Sequence, residues 1–290
     1  VTVFTTYPRE YRSIPGILSK RYEVLNSVEV IRSRTIFTVG KILLFRVLSY
    51  SLYVISSFYY IARNKNKYDI LISIAPLPSA IGAALAQKYF KIYHHFDVPD
   101  ILPDLGISAG MIKNRLIIKL WYKLEKWVYD HANSISAITH GQINNINGKG
   151  VLMNKLSGIP DWVDHTFFNE SLKLYKSEVS KSFMHPSKKN ISFIGNIGAL
   201  QNPIIFLQTM DLFQKDNENN LHFLFIGDGI MLPQLKQKVK ELQLKNVEFV
   251  GRVKREFVPA YMNLSDILVA NYLPNSYMDI CVPLKLYEYA

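Results

Sequence analysis

The chain has 290 residues, 49% of them hydrophobic, with no low-complexity tract; this excludes a disordered protein and leaves room for two domains, each with its own core. Its formal net charge is +11, of which residues 1–170 hold about +8, so the first half is expected to meet an anionic partner such as nucleic acid, anionic lipid or a phosphorylated small molecule. The single cysteine, Cys281, excludes an internal disulfide and fits a reducing compartment.

The opening "VTVFTTYP" reads as a strand and its following loop rather than a signal peptide. With no initiator Met and an abrupt end, the sequence is expected to be a fragment lacking both termini. Residues 41–67, "KILLFRVLSYSLYVISSFYYIARNKNK", raise the question of a membrane span, since the apolar, aromatic run is about 20 residues long. Arg46 and the scattered Ser and Tyr argue instead for a buried or interfacial helix.

"YDILISIA" (68–75) predicts a strand buried on both faces. A "PLP" loop, the helix "SAIGAALAQKYF" and the strand "KIYHHFDV" follow, the signature of parallel βαβ units. His94 and His95 point to opposite faces of that last strand, so one of them is a candidate for a ligand-facing group. The competing reading makes each a hydrogen-bonded structural residue. Asp97, Asp100 and Asp104 match neither an EF-hand loop nor a zinc site, and no metal is expected. In "KNRLIIKLWYKLEKWVYD" (113–130), Ile117, Leu120, Trp121, Leu124 and Val128 are expected on one side and Lys119, Lys123 and Lys126 on another. That is either a packed helix with a solvated basic face or an element that docks on an anionic membrane surface. "SISAIT" (134–139) is the next strand.

Residues 166–190 are rich in Ser and Lys and read as a linker between a first domain, 1–165, and a second, 191–290. Alternation then resumes. "ISFIGNIG" is a strand and loop, and "PIIFLQTMDLFQK" a helix. "LHFLFIGDG" is a strand and loop before a helix striped by Leu232, Leu235, Val239 and Leu242. "NVEFVG", "REFVPAYMN" and "DILVAN" continue it as strand, helix and strand. Gly195 and Gly198 sit between a strand and a helix, where glycine lets a backbone approach a phosphate and the helix N-terminus attracts an anion. Gly227 repeats the arrangement. Neither loop is a full G-x-G-x-x-G or a Walker A loop. In the closing "VPLKLYEYA", Lys285 and Glu288 lie three apart and share one helical face.

These phrases in order ("FIGNIG", "FLFIGDG", "VEFVGRV", "YMNLSDILVANY", "VPLKLYEYA") resemble the nucleotide-sugar domain of retaining GT-B glycosyltransferases of family 4. "YDILISIAPLPSAIGAALA" and "DILPDLGISAGMIKN" resemble the acceptor domain of bacterial polysaccharide-assembly members, of the aminosugar and fucosamine transferase type. The resemblance implies an α/β fold of two Rossmann-like domains, their parallel sheets facing across a cleft. It implies a UDP-sugar donor, a lipid-linked or saccharide acceptor, no cofactor, and a place on the cytoplasmic face of the membrane. Glu288 matches the family's final glutamate, which holds the ribose, and Lys285 one turn away would neutralise the diphosphate. Arg252 and the loop amides of 195–198 would assist the departing diphosphate. Asn196, Gln201, Gly227 and Val253 complete the donor side, and His95 and Asp100 are the acceptor-side candidates.

The sequence also departs from that pattern. Ile280 stands where the family carries an earlier glutamate, with Asp279 one position off. Asn196 and Gln201 stand where many relatives carry Arg and Lys. Two rivals stay open here: a non-catalytic nucleotide-sugar-binding scaffold, supported by Ile280, and a basic nucleic-acid-binding protein. The latter lacks RRM, KH and helix-turn-helix signatures, so no nucleic acid is expected.

Overall fold

The computed structural model describes residues 1–7, 20–33, 43–110, 112–182, 187–216 and 220–290. The chain divides into two compact units, Val1–Pro160 and Asp161–Ala290.

The first unit holds two sheets. In the smaller, β1 (Thr2–Thr6) runs parallel to β3 (Val28–Ser33), which pairs antiparallel with β2 (Tyr22–Leu25). In the larger, β4 (Ile70–Ile74), β5 (Tyr93–Val98), β6 (Ser134–Ala137) and β7 (Leu156–Gly158) are parallel and adjacent in chain order. Helix α1 (Leu43–Arg63) packs on α2 (Leu77–Phe90). The small residues of α2 permit this approach: Ala80, Ala83, Ala84 and Ala86 are buried, and a side chain at Gly82 would collide with Ser57 of α1. Lys41 lies outside the described residues. No described helix is long and apolar enough to cross a membrane.

Two expectations are corrected here. β4 is not buried on both faces: Ile70, Ile72 and Ile74 are all more than half exposed. It is the sheet's edge strand, and α2 packs where Ser73 is buried, on the opposite side. The helix α4 (Arg115–Asp130) is also rotated from its expected setting. Its buried side carries Glu125, Val128 and Tyr129, whereas Leu116 (79% exposed) and Leu120 (69%) face outward beside Lys119 and Lys123. Charge pairing sets this rotation. The Lys149 Nζ, just past α5 (His140–Gly148), sits 2.9 Å from Glu125 and 2.9 Å from Asp104 of α3 (Leu102–Ser108). Tyr129 donates to Glu125 at 3.0 Å and Tyr122 to Asp104 at 2.7 Å. Burial still pushes the Glu125 carboxyl up, with Lys149 opposing.

The second unit begins with helix α6 (His165–Ser182), where the sequence reading put a linker. The Ser and Lys content masked a 4-3-4 apolar spacing: Phe168, Leu172, Tyr175 and Val179 pack against the sheet and α9 (Val258–Leu264). The sheet is fully parallel, in the order β10 (Val247–Gly251), β9 (Leu221–Ile226), β8 (Lys189–Ile194), β11 (Ile267–Leu268). One face is covered by α7 (Pro203–Lys215) and α8 (Leu232–Glu241), with Phe206, Leu207, Met210 and Leu235 buried against Phe193, Phe223 and Phe225. The other is covered by α6 and α9, through Val179, Ala260, Tyr261 and Met262. The short helix α10 (Leu284–Tyr289) closes the chain, anchored by the Tyr289 hydroxyl donating to the Ile194 carbonyl at 3.2 Å.

If this core carries the second unit, Leu207→Ala, at a fully buried position, should cost about 2–5 kcal/mol in chemical denaturation. The same change at Leu212, on the same helix but 63% exposed, should stay within about 0.5 kcal/mol.

Candidate functional site

Strand order locates the site. Chain succession moves outward from β8 to β9 to β10 on one side, then returns to place β11 on the other side of β8. The loops after β8 and β11 therefore diverge, and ligands of open parallel sheets bind at such a reversal, beyond the carboxyl ends of the strands.

The loop after β8 is held level with its neighbours. Gly195 N–H donates to the Ile226 carbonyl at 2.9 Å and Gly227 N–H to the Gly251 carbonyl at 2.8 Å. The two glycine loops are then tied together: Ile197 N–H donates to the Asp228 carbonyl at 2.9 Å, and Met231 N–H to the Ile197 carbonyl at 3.0 Å. Gly227 has φ +145°, and a Cβ there would overlap the Gly195 carbonyl oxygen. Only glycine satisfies both demands. Gly198 is closely packed too, between Gln201 Oε1 and Asn196 Nδ2.

Lys285 of α10 reaches into this corner. Its Nζ lies 3.4 Å from where a Gly195 Cβ would sit, 4.7 Å from the centroid of the Phe193 ring and 5.5 Å from that of Tyr272. The atom is buried, and no hydrogen bond reaches it among the described residues. Burial pulls the amine down to about 8, while the charge of Glu288 pulls it back up. Glu288 mirrors it: burial pushes the carboxyl up, opposed by Arg255 and Lys285. The arrangement sets one buried cation without a hydrogen-bond acceptor beside a glycine loop, a chemistry that suits an anion.

The structure brings Gly195, Asn196, Gly198, Gln201, Gly227, Lys285 and Glu288 together around this loop. Gln201 bonds the Tyr272 hydroxyl through its side chain. Arg252 follows β10 and is exposed, and Val253 packs its side chain into the core between the sheet, α6 and α9. Arg255 was not expected from the sequence, yet it is the arginine whose charge acts on Glu288, and it also stacks 5.2 Å over Phe167. Asn271 was missed as well. Its Nδ2 donates to the carbonyls of Gln201 (2.7 Å) and Asn202 (2.6 Å), clamping the end of the loop where Asn202 takes φ +40°.

His95 and Asp100 belong to the first unit. His95 is engaged at both ring nitrogens, Nδ1 by Ser134 (2.7 Å) and Nε2 by Ser136 (3.0 Å), and Ser136 donates onward to Asp97 at 2.5 Å. His94 is fully buried, bonded to Ser73 at 2.7 Å, and burial pulls it down to about 4. Asp100 is exposed in the loop after β5. Among the described residues no group of three His, Cys, Asp or Glu side chains could hold a metal ion.

Residues 188–290, most of the second unit, match the family model described as glycosyl transferases group 1. A curated relative is the GalNAc-α-(1→4)-GalNAc-α-(1→3)-diNAcBac-PP-undecaprenol α-1,4-N-acetyl-D-galactosaminyltransferase of Campylobacter jejuni subsp. jejuni serotype O:2. It is 31% identical over 191 residues, 60% of this chain and 48% of the relative, so the chain spans about half of that protein's length. Among solved structures, a sucrose-phosphate synthase from Thermosynechococcus elongatus superposes with a TM-score of 0.69 at 13% identity, over 94% of this chain and 66% of that one. Anabaena HepE, in complex with UDP and glucose, gives 0.57 at 13%, over 84% and 61%. These likenesses show the fold: two Rossmann-like α/β units of GT-B type.

The buried amine leaves a signature in stability. Its folded pKa, about 8, lies below the 10.5 of an ordinary lysine, so between those values the unfolded chain holds a proton that the folded one has lost. Stability therefore rises with pH across that window. Lys285→Met should melt higher than wild type at pH 7, and the gap should shrink as pH climbs from 8 to 10.5. A gap that does not change with pH would show an amine of ordinary basicity.

Proposed function

We propose that this protein is a retaining glycosyltransferase, moving a sugar from a UDP-sugar to a lipid-linked saccharide in the assembly of a surface polysaccharide. The single observation that carries the reading is the Lys285 amine, buried without an acceptor over the glycine loop of a group 1 glycosyl transferase domain. A nucleoside diphosphate supplies what this corner lacks. Its phosphate oxygens accept from Lys285 Nζ and from those loop amides of 195–198 that are not bonded to the Ile226 and Asp228 carbonyls, and Glu288 accepts from the ribose hydroxyls. The charge gathered on the diphosphate as the glycosidic bond breaks is then met by a fixed cation and fixed dipoles, with no reorganisation at the moment of reaction. Arg252, Gln201, Asn196, Gly227 and Val253 are assigned to the donor side, and His95 and Asp100 to the acceptor side on the first unit. The HepE structure holds UDP, and the Campylobacter relative is named for an undecaprenol-diphosphate-linked glycan; both support the substrate classes chosen here.

The acceptor class favours the membrane reading of α4. Its outward face alternates Leu116 and Leu120 with Lys119 and Lys123, an apolar stripe edged by cations that suits the headgroup region of an anionic bilayer. We assign the protein to the inner face of the cell membrane as a peripheral enzyme.

UDP should raise the melting temperature of the intact protein, since a ligand at 100 times its Kd adds about 2.7 kcal/mol to the folded state. Lys285→Ala should lower kcat by roughly 10² to 10³, the usual loss of one fixed donor to a developing charge, and Glu288→Gln should act mainly on donor KM. Unchanged kinetics in both variants, with no shift by any nucleoside diphosphate, would sink the reading.

Co-sedimentation with liposomes should require anionic lipid and weaken as salt rises. Leu116→Ser with Leu120→Ser should abolish it without lowering the melting temperature, because both side chains are exposed. Binding unaffected by lipid charge or by the double substitution would remove α4 as the docking element.

A further inference from the structure

We propose that donor capture is proton-linked: a nucleoside diphosphate seated on the 195–198 loop draws a proton from solvent onto the Lys285 amine as it binds. The inference rests on the nucleotide-sugar reading above and deepens it.

The geometry begins with what surrounds the amine. Residues 195–202, Gly-Asn-Ile-Gly-Ala-Leu-Gln-Asn, carry no formal charge, so this stretch brings no second cation and no anion to the phosphate position. From β8 the amine meets the Phe193 ring, and from the loop after β11 the ring of Tyr272. The Tyr272 hydroxyl is kept protonated by burial and is bonded to Gln201. On α10 itself stand Glu288, one turn on, and Tyr289, whose hydroxyl is pushed up by burial and donates to the Ile194 carbonyl. Arg255 acts on Glu288, and so opposes any transfer of a proton to that carboxylate. Among these groups none offers the ammonium a hydrogen bond.

An amine in this setting holds its proton only weakly. The diphosphate changes the balance, because its oxygens take up the missing bonds. A charge-assisted N–H⁺···O⁻ bond forms with the protonated amine, whereas the neutral amine gains little. The ligand therefore selects the ammonium form, and the shift is as large as its preference between the two. One N–H bond forms at Nζ and the buffer acid loses the proton. Near pH 7 the empty site mostly carries the charge and the phosphate is mostly ionised, so affinity for UDP is nearly flat. Above about pH 8 the proton must be supplied, and affinity falls about tenfold per pH unit until the bound-state pKa is reached. The phosphates add nothing to the slope there, since a terminal phosphate with pKa about 6 is fully ionised.

The test is calorimetry of UDP into the intact protein at pH 8.5, in Tris and in HEPPS, whose ionisation enthalpies differ. The apparent binding enthalpies should diverge by the equivalent of about three-quarters of a proton taken up per UDP, and the Kd should weaken about eightfold from pH 8.5 to 9.5. Lys285→Arg keeps a charge that does not titrate below about pH 12, so it should bind UDP with no uptake and no slope. Should the guanidinium not fit, Lys285→Gln gives weak, pH-independent binding to the same end. Tight wild-type binding with identical enthalpies in the two buffers overturns the proton linkage and leaves the donor reading standing. Uptake that persists in the Lys285 variants assigns the proton elsewhere and also overturns it. No UDP binding at any pH brings down both.

Discussion

Burying the Lys285 amine without an acceptor is unfavourable, and the end of the second sheet is arranged around that cost. A desolvated ammonium loses the hydration that water gave it. In partial return it has the faces of Phe193 and Tyr272 and the field of Glu288. Gly195 is required by its own backbone, which takes φ +131°; a Cβ there would only touch Nζ, at 3.4 Å. The neighbouring loop must then pass close to the Gly195 carbonyl, and Gly227 allows it. An aromatic floor and a carboxylate one helical turn away thus surround one side chain. None of them is explained by packing efficiency alone, since a neutral residue at 285 would fill the same corner at lower cost.

The first unit holds a useful contrast. Lys149 is, like Lys285, a lysine with little exposed surface, but its Nζ meets Glu125 and Asp104 directly. Those carboxylates are in turn capped by Tyr129 and Tyr122. This is a closed network whose geometry fixes α3, α4 and the end of α5 relative to one another. Breaking it would leave a buried charge exposed to the apolar interior, a structural penalty. Lys285 already stands in that unpaired state. What separates a structural lysine from a ligand-seeking one is therefore the census of partners, which burial alone does not reveal.

That census also explains how far the sequence could be read. Spacing and glycine placement disclosed the strands of the second sheet, the two loops and the shared face of Lys285 and Glu288. These are local properties, set within a few residues by backbone geometry. The misjudged elements depended on distant partners. Helix α6 reads as polar because only Phe168, Leu172, Tyr175 and Val179 of its 18 residues form the apolar stripe. The rotation of α4 follows from Lys149, which lies 24 residues beyond Glu125. Arg255 and Asn271 are unremarkable in sequence. One matters because Glu288 comes close in electrostatic terms, the other because two loop carbonyls face its amide.

The departures from the family pattern take on a physical meaning in this light. Where the family pattern that the sequence resembles has Arg and Lys, the chain has Asn196 and Gln201, which flank Gly198, Gln201 also bonding Tyr272. Fixed cations there would hold a diphosphate at all ordinary pH values, and would repel the Lys285 ammonium and lower its basicity further. Their replacement by amides removes that repulsion and leaves Lys285, opposed by Glu288, as the cation of the glycine loop. The amides leave Lys285 poised, charged or neutral according to what occupies the loop beside it.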